Sequence, residues 1–174
     1  LPNTVADRYS PGPKSAQLLE QHGLRGRRIL LTVSRISLND WYKGHHLVIA
    51  VMPDLLREYP DLVYVVAGEG NGRDKLQQLA VDSGVADSVK FIGKVSETQL
   101  PDMYRTADVF VMPSTKEGFG IVFLEAMRSG LPVIGGNCDG SMDPLRDGTA
   151  GYVVSCKDPN ELIEAIRSAL ENPR

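Results

Sequence analysis

Short apolar runs alternate with amphipathic segments along the whole chain. The apolar runs are rich in β-branched residues, which predicts buried strands at about residues 28–34, 62–67, 89–92, 109–112, 132–135 and 151–154. Apolar residues at helical spacing predict helices at about residues 15–22, 44–58, 73–83, 97–105, 120–129 and 159–170. Repeated β-α units with right-handed crossovers form a parallel sheet with helices on both faces. The pattern therefore predicts a Rossmann-like, three-layer α/β domain with a mainly parallel six-stranded sheet.

Glycine, proline and one arginine stand at or just past the ends of five predicted strands. These residues are Arg35, Gly68, Gly93, Pro113 and Gly135. Open parallel sheets bind their ligands beyond the carboxyl ends of the strands. We therefore expect these five loops to share one ligand-binding rim.

The segment 117–125 places two glutamates around a predicted strand-to-helix turn. It contains, in order, Glu117, Gly118, Phe119, Gly120, Ile121, Val122, Phe123, Leu124 and Glu125. The two glycines have no side chains, so the backbone is accessible where the helix begins. Amide N–H groups and the positive end of the helix dipole can then face an anion such as a diphosphate. The turn thus predicts a phosphate site, with the side chains or backbone of these residues around it.

The two glutamates have separate expected roles. Glu125 lies about two helical turns from Glu117, where its carboxylate could accept hydrogen bonds from both hydroxyls of a ribose. Glu117 could reach the hydroxyls of a sugar beyond the phosphates. An isolated glutamate is more often a solvated residue, but the glycine turn between these two favours a nucleotide-sugar site.

Arg35 and Lys43 form a second candidate group. Arg35 follows the first predicted strand and Lys43 precedes the next helix, so both cations could converge near Gly120. Two fixed cations would stabilise a departing nucleoside diphosphate without a metal ion. The alternative is that both are ordinary surface charges.

Composition narrows the function classes. The 174 residues are 42% hydrophobic, enough for one sizeable core, and the net charge of −3 comes without any basic run. Nucleic acid is therefore not an expected partner. No apolar run has transmembrane length. Cys138 and Cys156 lack metal-ligand spacing, which indicates reduced thiols in a cytoplasmic protein, and we assign them no function.

A set of short motifs recurs in a fixed order along nearly the whole chain. They are Val33-Ser34-Arg35, Tyr42-Lys43-Gly44, Val66-Ala67-Gly68-Glu69-Gly70, Val89-Lys90-Phe91-Ile92-Gly93, Leu100-Pro101-Asp102-Met103-Tyr104, Ala107-Asp108-Val109-Phe110, the segment 117–125 and Gly130-Leu131-Pro132-Val133-Ile134. With them the sequence resembles the C-terminal, nucleotide-sugar-binding domain of retaining glycosyltransferases of the GT-B fold, in the large bacterial family numbered four.

The resemblance implies a role for several further residues. It assigns the donor diphosphate to Arg35 and Lys43, which together with Glu117 are the expected catalytic residues. It assigns the nucleotide base to the backbone near Lys94 and Val95. Leu100 would pack against the base, although a leucine at a helix start is more often a core residue. The loop 136–143 departs from the family pattern, with Asp143 where a glutamate is more common.

The resemblance also implies half of a two-domain enzyme. Residues 1–12 resemble the family's interdomain connection, and residues 13–174 form the nucleotide-sugar-binding domain. The acceptor-binding N-terminal domain would be missing, so this fragment should bind donor without turnover. We expect the full-length enzyme to be cytoplasmic, where it could make peripheral contact with the inner face of the membrane.

The expected function is donor binding in a retaining hexosyltransferase of polysaccharide or glycoconjugate biosynthesis. A UDP-sugar is the first candidate donor and GDP-mannose the second, and no metal is expected. The alternatives are a sugar-nucleotide epimerase of the same fold and an isolated nucleotide-binding module. The glycines of residues 68–72 depart from a dinucleotide fingerprint and favour a tight turn. We interpret His45 and His46 as solvated or capping histidines. Neither they nor Trp41 are assigned a function.

Overall fold

The computed structural model describes residues 5–137, 142–145, 148 and 150–172. Its sheet has six strands in the order β3-β2-β1-β4-β5-β6, and all neighbouring strands are parallel. The strands are β1 Arg28–Val33, β2 Leu62–Ala67, β3 Val89–Gly93, β4 Val109–Met112, β5 Val133–Gly136 and β6 Tyr152–Val154. The prediction of a Rossmann-like sheet is thereby confirmed.

Helices cover both faces of this sheet. They are α1 Ala16–Gln21, α2 His45–Glu58, α3 Arg73–Asp82, α4 Leu100–Thr106, α5 Ile121–Arg128, α6 Met142–Leu145 and α7 Pro159–Glu171. One core lies between the sheet and α2, α3 and α7, and a second lies between the sheet and α1, α4, α5 and α6. The three predicted layers follow from these two cores.

The strands contribute side chains to both cores because successive side chains point to opposite faces of the sheet. On β1, Leu30 belongs to the first core, and its neighbours Ile29 and Leu31 belong to the second. On β4, Phe110 packs in the second core between Tyr104 and Phe123, with ring centroids 5.9 and 5.6 Å away. The continuous apolar runs in the sequence are therefore strands buried on both faces.

Some boundaries differ from the sequence prediction. The fourth predicted helix starts at Leu100 instead of residue 97, because Ser96 closes a local turn by accepting from the Gln99 amide at 3.3 Å. Two 3₁₀ helices, Leu38–Lys43 and Ala86–Ser88, and the short α6 were not predicted. Elements this short show no periodicity in a sequence window.

The N-terminal segment, residues 5–14, packs against the domain. Tyr9 is only 2% exposed. Arg105 of α4 donates to the Ser10 carbonyl at 2.9 Å, and Arg128 of α5 donates to the Tyr9 carbonyl at 3.1 Å. The segment therefore shares its contacts with α4 and α5; its assignment as an interdomain connection stays a prediction.

Two sites named from the sequence fall outside the described residues: Cys138 and the side chain of Asp143. The thiol of Cys156 donates to the carbonyls of Pro113 and Ser114 at 3.4 and 3.3 Å. Among the described residues, no helix is long and apolar enough to cross a membrane.

Candidate functional site

A pocket of about 430 Å³ opens at the carboxyl end of the sheet. The loops after β1, β2 and β3 and the first turns of α4 and α5 form its wall. Its lining residues are Val33, Ser34, Arg35, Ala67, Gly68, Glu69, Lys94, Val95, Leu100 and Val122. Five residues predicted to bind a donor thus meet here, namely Arg35, Lys94, Val95, Leu100 and Val122. Sequence reasoning had not assigned Ser34 or Glu69 to the site.

Two glycines let the loops after β1 and β2 approach each other. Gly68 has a φ of 154°, and a Cβ there would lie 1.8 Å from the Ser34 carbonyl oxygen. Gly70 has a φ of 149°, and a Cβ there would lie 2.1 Å from the Ile36 carbonyl oxygen. The Ile36 amide donates to the Glu69 carbonyl at 2.8 Å. These glycines therefore serve loop packing beside the pocket, as the expected tight turn requires.

Lys43 and Glu117 form an ion pair with each other. The ammonium of Lys43 donates to the Glu117 carboxylate, and the two side chains are only 13% and 17% exposed. The adjacent backbones are also joined, because the Thr115 amide donates to the Tyr42 carbonyl at 2.9 Å. Two of the three predicted catalytic residues are thus paired, whereas Arg35 lies in the pocket wall.

The helix α5 begins at the predicted phosphate site. Gly120 is its N-cap, with a left-handed φ of 70° and no side-chain cap. The first amides of a helix have no partner within the helix, so those at Ile121 and Val122 are suited to an anion. A Cβ on Gly118 would meet no protein atom within 4 Å, which leaves the approach to these amides open.

Glu125 lies one turn beyond the pocket-lining Val122 on α5. It is not among the residues that line the pocket. Its carboxylate accepts a hydrogen bond from the Tyr104 hydroxyl at 2.9 Å. Sequence reasoning had not identified Tyr104, although its position on α4 repeats that of the pocket residue Leu100 one turn earlier.

His45 belongs to a buried polar network behind the pocket wall. The side chain is 4% exposed, so the expectation of a solvated or capping histidine was wrong. Its Nε2 lies 2.9 Å from the Ser34 hydroxyl, and its Nδ1 lies 3.0 Å from the Tyr64 hydroxyl. The Tyr64 hydroxyl is also 2.8 Å from the Thr32 hydroxyl. The buried hydroxyl of Tyr64 on β2 and the hydroxyl of Ser34 just after β1 thus both find a partner in the histidine at the start of α2.

Burial, assisted by the nearby positive groups of His46 and Lys43 and opposed by a backbone hydrogen bond with Arg35, lowers the pKa of His45 to about 4. The neighbouring His46 is stacked on Trp41 with ring centroids 4.8 Å apart. The Lys75 ammonium lies 4.5 Å from the centroid of the same indole. Trp41 therefore packs as a cover over the start of α2.

Acidification should destabilise the chain through His45. Between pH 6.5 and 4 the unfolded chain binds a proton at this imidazole that the folded chain excludes, so stability falls as the pH drops through this window. The expected loss between pH 7 and pH 5 is about 2 kcal/mol. Urea unfolding at both pH values measures it, with His45→Gln as the comparison. An equal pH dependence in wild type and variant would contradict the burial argument.

The described residues contain no group of three or more His, Cys, Asp or Glu side chains that could hold a metal ion. The positive charges near the pocket come instead from Arg35, Lys94 and the start of α5. These groups can bind an anion at this rim.

Comparison with known proteins agrees with this geometry. The chain is 34% identical to a GDP-mannose-dependent alpha-(1-6)-phosphatidylinositol monomannoside mannosyltransferase of Mycolicibacterium smegmatis, over 99% of this chain and 47% of that protein. The chain thus spans about half the length of the curated relatives it matches.

Two solved structures share the fold. The C-terminal domain of LpcC, a glycosyl transferase group 1 family protein from Francisella tularensis, has a TM-score of 0.78 and 26% identity, with 97% of this chain and 89% of that domain covered. Anabaena Alr3699/HepE in complex with UDP-glucose has a TM-score of 0.81 and 26% identity, with 95% of this chain and 45% of that chain covered.

The family description "Glycosyl transferases group 1" matches residues 15–174. This match takes in every strand of the sheet and every element of the pocket wall. The chain therefore belongs to the group 1 glycosyl transferases, in which it corresponds to the C-terminal half of a GT-B fold.

Proposed function

We propose that this chain is the donor-binding domain of a retaining hexosyltransferase. The observation that carries the proposal is the pocket at the carboxyl end of the sheet, in which Arg35 and the start of α5 meet the base-side residues Lys94, Val95 and Leu100. A pocket of about 430 Å³ has the size of small-ligand sites in proteins. A nucleoside diphosphate presents a flat base, a ribose and two phosphates. The apolar part of the pocket wall suits the base, and the cationic part suits the phosphates.

The diphosphate would lie between Arg35 and the amides at the start of α5. Guanidinium groups bind phosphate oxygens through two parallel hydrogen bonds, and helix amides add further donors. When the sugar leaves, negative charge accumulates on the diphosphate. Donors that are already fixed in place stabilise this charge without reorganisation.

The hexose would lie toward the ion pair of Lys43 and Glu117. Both side chains are mostly buried, so the pair holds the Glu117 carboxylate in one place. A carboxylate fixed beside the sugar can accept from its hydroxyls and favour the positive charge that develops on the ring in transfer. Lys43 would then act both on Glu117 and on the departing phosphate oxygens.

Two donors have support from separate observations. UDP-sugars are supported by the Anabaena neighbour in complex with UDP-glucose, at 26% identity. GDP-mannose is supported by the mycobacterial relatives named as GDP-mannose-dependent, at 33–34% identity. The higher identity makes GDP-mannose at least as strong a candidate as the UDP-sugar favoured by the sequence.

The proposal includes the rest of the enzyme. An acceptor-binding N-terminal domain would close over the pocket from the side of Glu117, and transfer to a glycan or lipid-linked acceptor would need it. The isolated chain would bind donor and turn over almost nothing, in the cytoplasm or at the inner face of the membrane. An epimerase of the same fold would use the pocket with a different second domain.

Calorimetric titration with UDP, GDP, ADP and the matching nucleosides tests the donor site. We expect one nucleoside diphosphate to bind best and Arg35→Ala to weaken it at least about tenfold, because a hydrogen bond to a charged group contributes about 1.5–3 kcal/mol. Nucleoside affinity should change less than about twofold, and added salt should weaken only the diphosphate.

Arg25→Ala is the matched control, since Arg25 pairs with Glu20 and precedes the amino end of β1, whereas the pocket lies at the carboxyl end. It should leave all affinities unchanged. If Arg35→Ala weakens nucleoside and diphosphate equally, Arg35 does not bind phosphate. If no nucleoside diphosphate binds the wild type, the donor-binding function is wrong.

A further inference from the structure

The Tyr104–Glu125 pair continues the pocket wall one turn deeper between α4 and α5. Leu100 and Val122 line the pocket in the first turns of these helices. Tyr104 and Glu125 follow them by four and three residues, so each lies on the same face of its helix. The Tyr104 hydroxyl donates to Glu125 Oε2 at 2.9 Å. The pair is thus adjacent to the pocket and connected to it through both helices.

Tyr104 is held rigidly in this place. The residue is fully buried, and its ring lies 5.8 Å from that of Tyr9 and 5.9 Å from that of Phe110. Burial and the Glu125 charge keep the pKa of Tyr104 well above its ordinary value, so the phenol remains a hydrogen-bond donor. Glu125, by contrast, is only half-buried, so it depends on hydrogen bonds for a fixed orientation.

A fixed donor changes what Glu125 can offer a ligand. An ionised carboxylate has about four acceptor positions; Tyr104 uses one of them on Oε2, and Tyr9 uses another. The other positions stay available to hydroxyl donors. A glutamate that is already immobilised also loses less rotamer freedom when a ligand binds.

The N-terminal segment completes the support. Tyr9 packs edge-on against Tyr104, and its own pKa is raised by burial and also by a hydrogen bond with Glu125. Arg105 and Arg128 tie residues 8–10 to α4 and α5. Both tyrosines that face Glu125 are therefore locked in the second core.

We propose that Tyr104, supported by Tyr9, is a positioning residue that orients the Glu125 carboxylate toward the ribose hydroxyls of the bound nucleotide. This inference rests on the proposed donor-binding function, and it adds a residue from α4 and one from the N-terminal segment to the ribose site. Tyr104 itself touches Glu125 and not the ligand. Its effect should therefore depend on the ribose hydroxyls.

The test compares Tyr104→Phe with wild type for two ligands, the nucleoside diphosphate that binds best and its 2′,3′-dideoxy analogue. We expect the variant to weaken the ribonucleotide about five- to tenfold, as for the loss of one hydrogen bond, and the dideoxy analogue less than about twofold. Glu125→Ala should show a larger loss with the same ligand dependence. The double variant should match Glu125→Ala, because the two residues act as one unit.

Tyr59→Phe is the matched control. Its hydroxyl donates to Glu171 at 3.0 Å, so the variant deletes the same kind of bond between α2 and α7, away from the pocket. It should leave both affinities unchanged. Should Tyr104→Phe fail to fold, NMR of the wild type replaces it: the ring signal of Tyr104 should move with the ribonucleotide and not with the dideoxy analogue.

Three outcomes would overturn the inference. Equal losses for both ligands in Tyr104→Phe would give the tyrosine a purely structural role. If Tyr104→Phe binds like the wild type but Glu125→Ala loses affinity, Glu125 keeps its ribose role and Tyr104 does not position it. No loss in Glu125→Ala would contradict the ribose role expected of Glu125, on which the inference depends, and would leave the proposed donor binding at Arg35 standing.

Discussion

Glu117→Gln should lower sugar transfer about a hundredfold or more in an enzyme that joins this chain to an acceptor-binding domain. A neutral amide cannot favour the positive charge that develops on the hexose, so the loss falls mainly on the transition state. Nucleoside diphosphate affinity should stay within about twofold, because the expected contacts of Glu117 are with the sugar and Lys43. Steady-state kinetics measure the turnover, and calorimetry measures the affinity.

Glu20→Gln provides the control for this prediction. Glu20 is also paired with a cation, Arg25, but it lies on α1 with 70% of its side chain exposed. Its replacement should change neither turnover nor affinity. A normal transfer rate with weakened nucleotide binding in Glu117→Gln would show that the roles of Glu117 and Glu125 are reversed. Melting temperatures are needed for both variants, since Lys43 loses a mostly buried partner.

Much of the fold could be predicted because its strands are buried on both faces. Runs such as residues 62–67 and 109–112 are apolar without alternation, and both match strands to the residue. The two 3₁₀ helices and α6 escaped prediction because one or two turns of helix contain too few residues to show a period. The start of α4 was placed too early because Ser96 and Gln99 have the spacing of a helix cap but form a separate turn.

The site was predictable where strand ends define it. Arg35, Lys94 and Val95 follow parallel strands, and parallel strands end at a common rim. The burial of His45 was not predictable from its neighbours in sequence, because its partners are Ser34 and Tyr64 on other elements. One signal was present: Tyr64 carries a hydroxyl in an otherwise apolar strand, and a buried hydroxyl needs a partner.

The pairing of Tyr104 with Glu125 was hidden for a related reason. Helical spacing places Tyr104 below Leu100 and Glu125 below Val122, but it does not say that α4 and α5 face each other. That contact depends on their shared packing against the second core. The motif in the sequence thus places Glu125 on α5, but only the tertiary structure brings Tyr104 next to it.

Gly120→Ala should reduce the free energy of unfolding by about 2–4 kcal/mol. Gly120 has a φ of 70°, where an L-residue is strained by about 1–2 kcal/mol. Its Cβ would lie 2.5 and 2.7 Å from two ring carbons of Phe123, which is fully buried and packed on Phe110. Such overpacking adds about 1–3 kcal/mol. Urea or thermal unfolding measures the change.

Gly118→Ala separates this local strain from a general effect of adding a methyl group to the turn. Gly118 has no positive φ, and a Cβ there would meet no protein atom within 4 Å. The free energy of unfolding of Gly118→Ala should therefore stay unchanged or rise slightly. A Cβ on Gly120 would also lie 3.1 Å from Glu117 Cγ. Gly120→Ala should therefore displace the Glu117 side chain as well and lower transfer in the full enzyme. Equal stability of the two variants would show that Phe123 can yield and that the left-handed cap of α5 is not required.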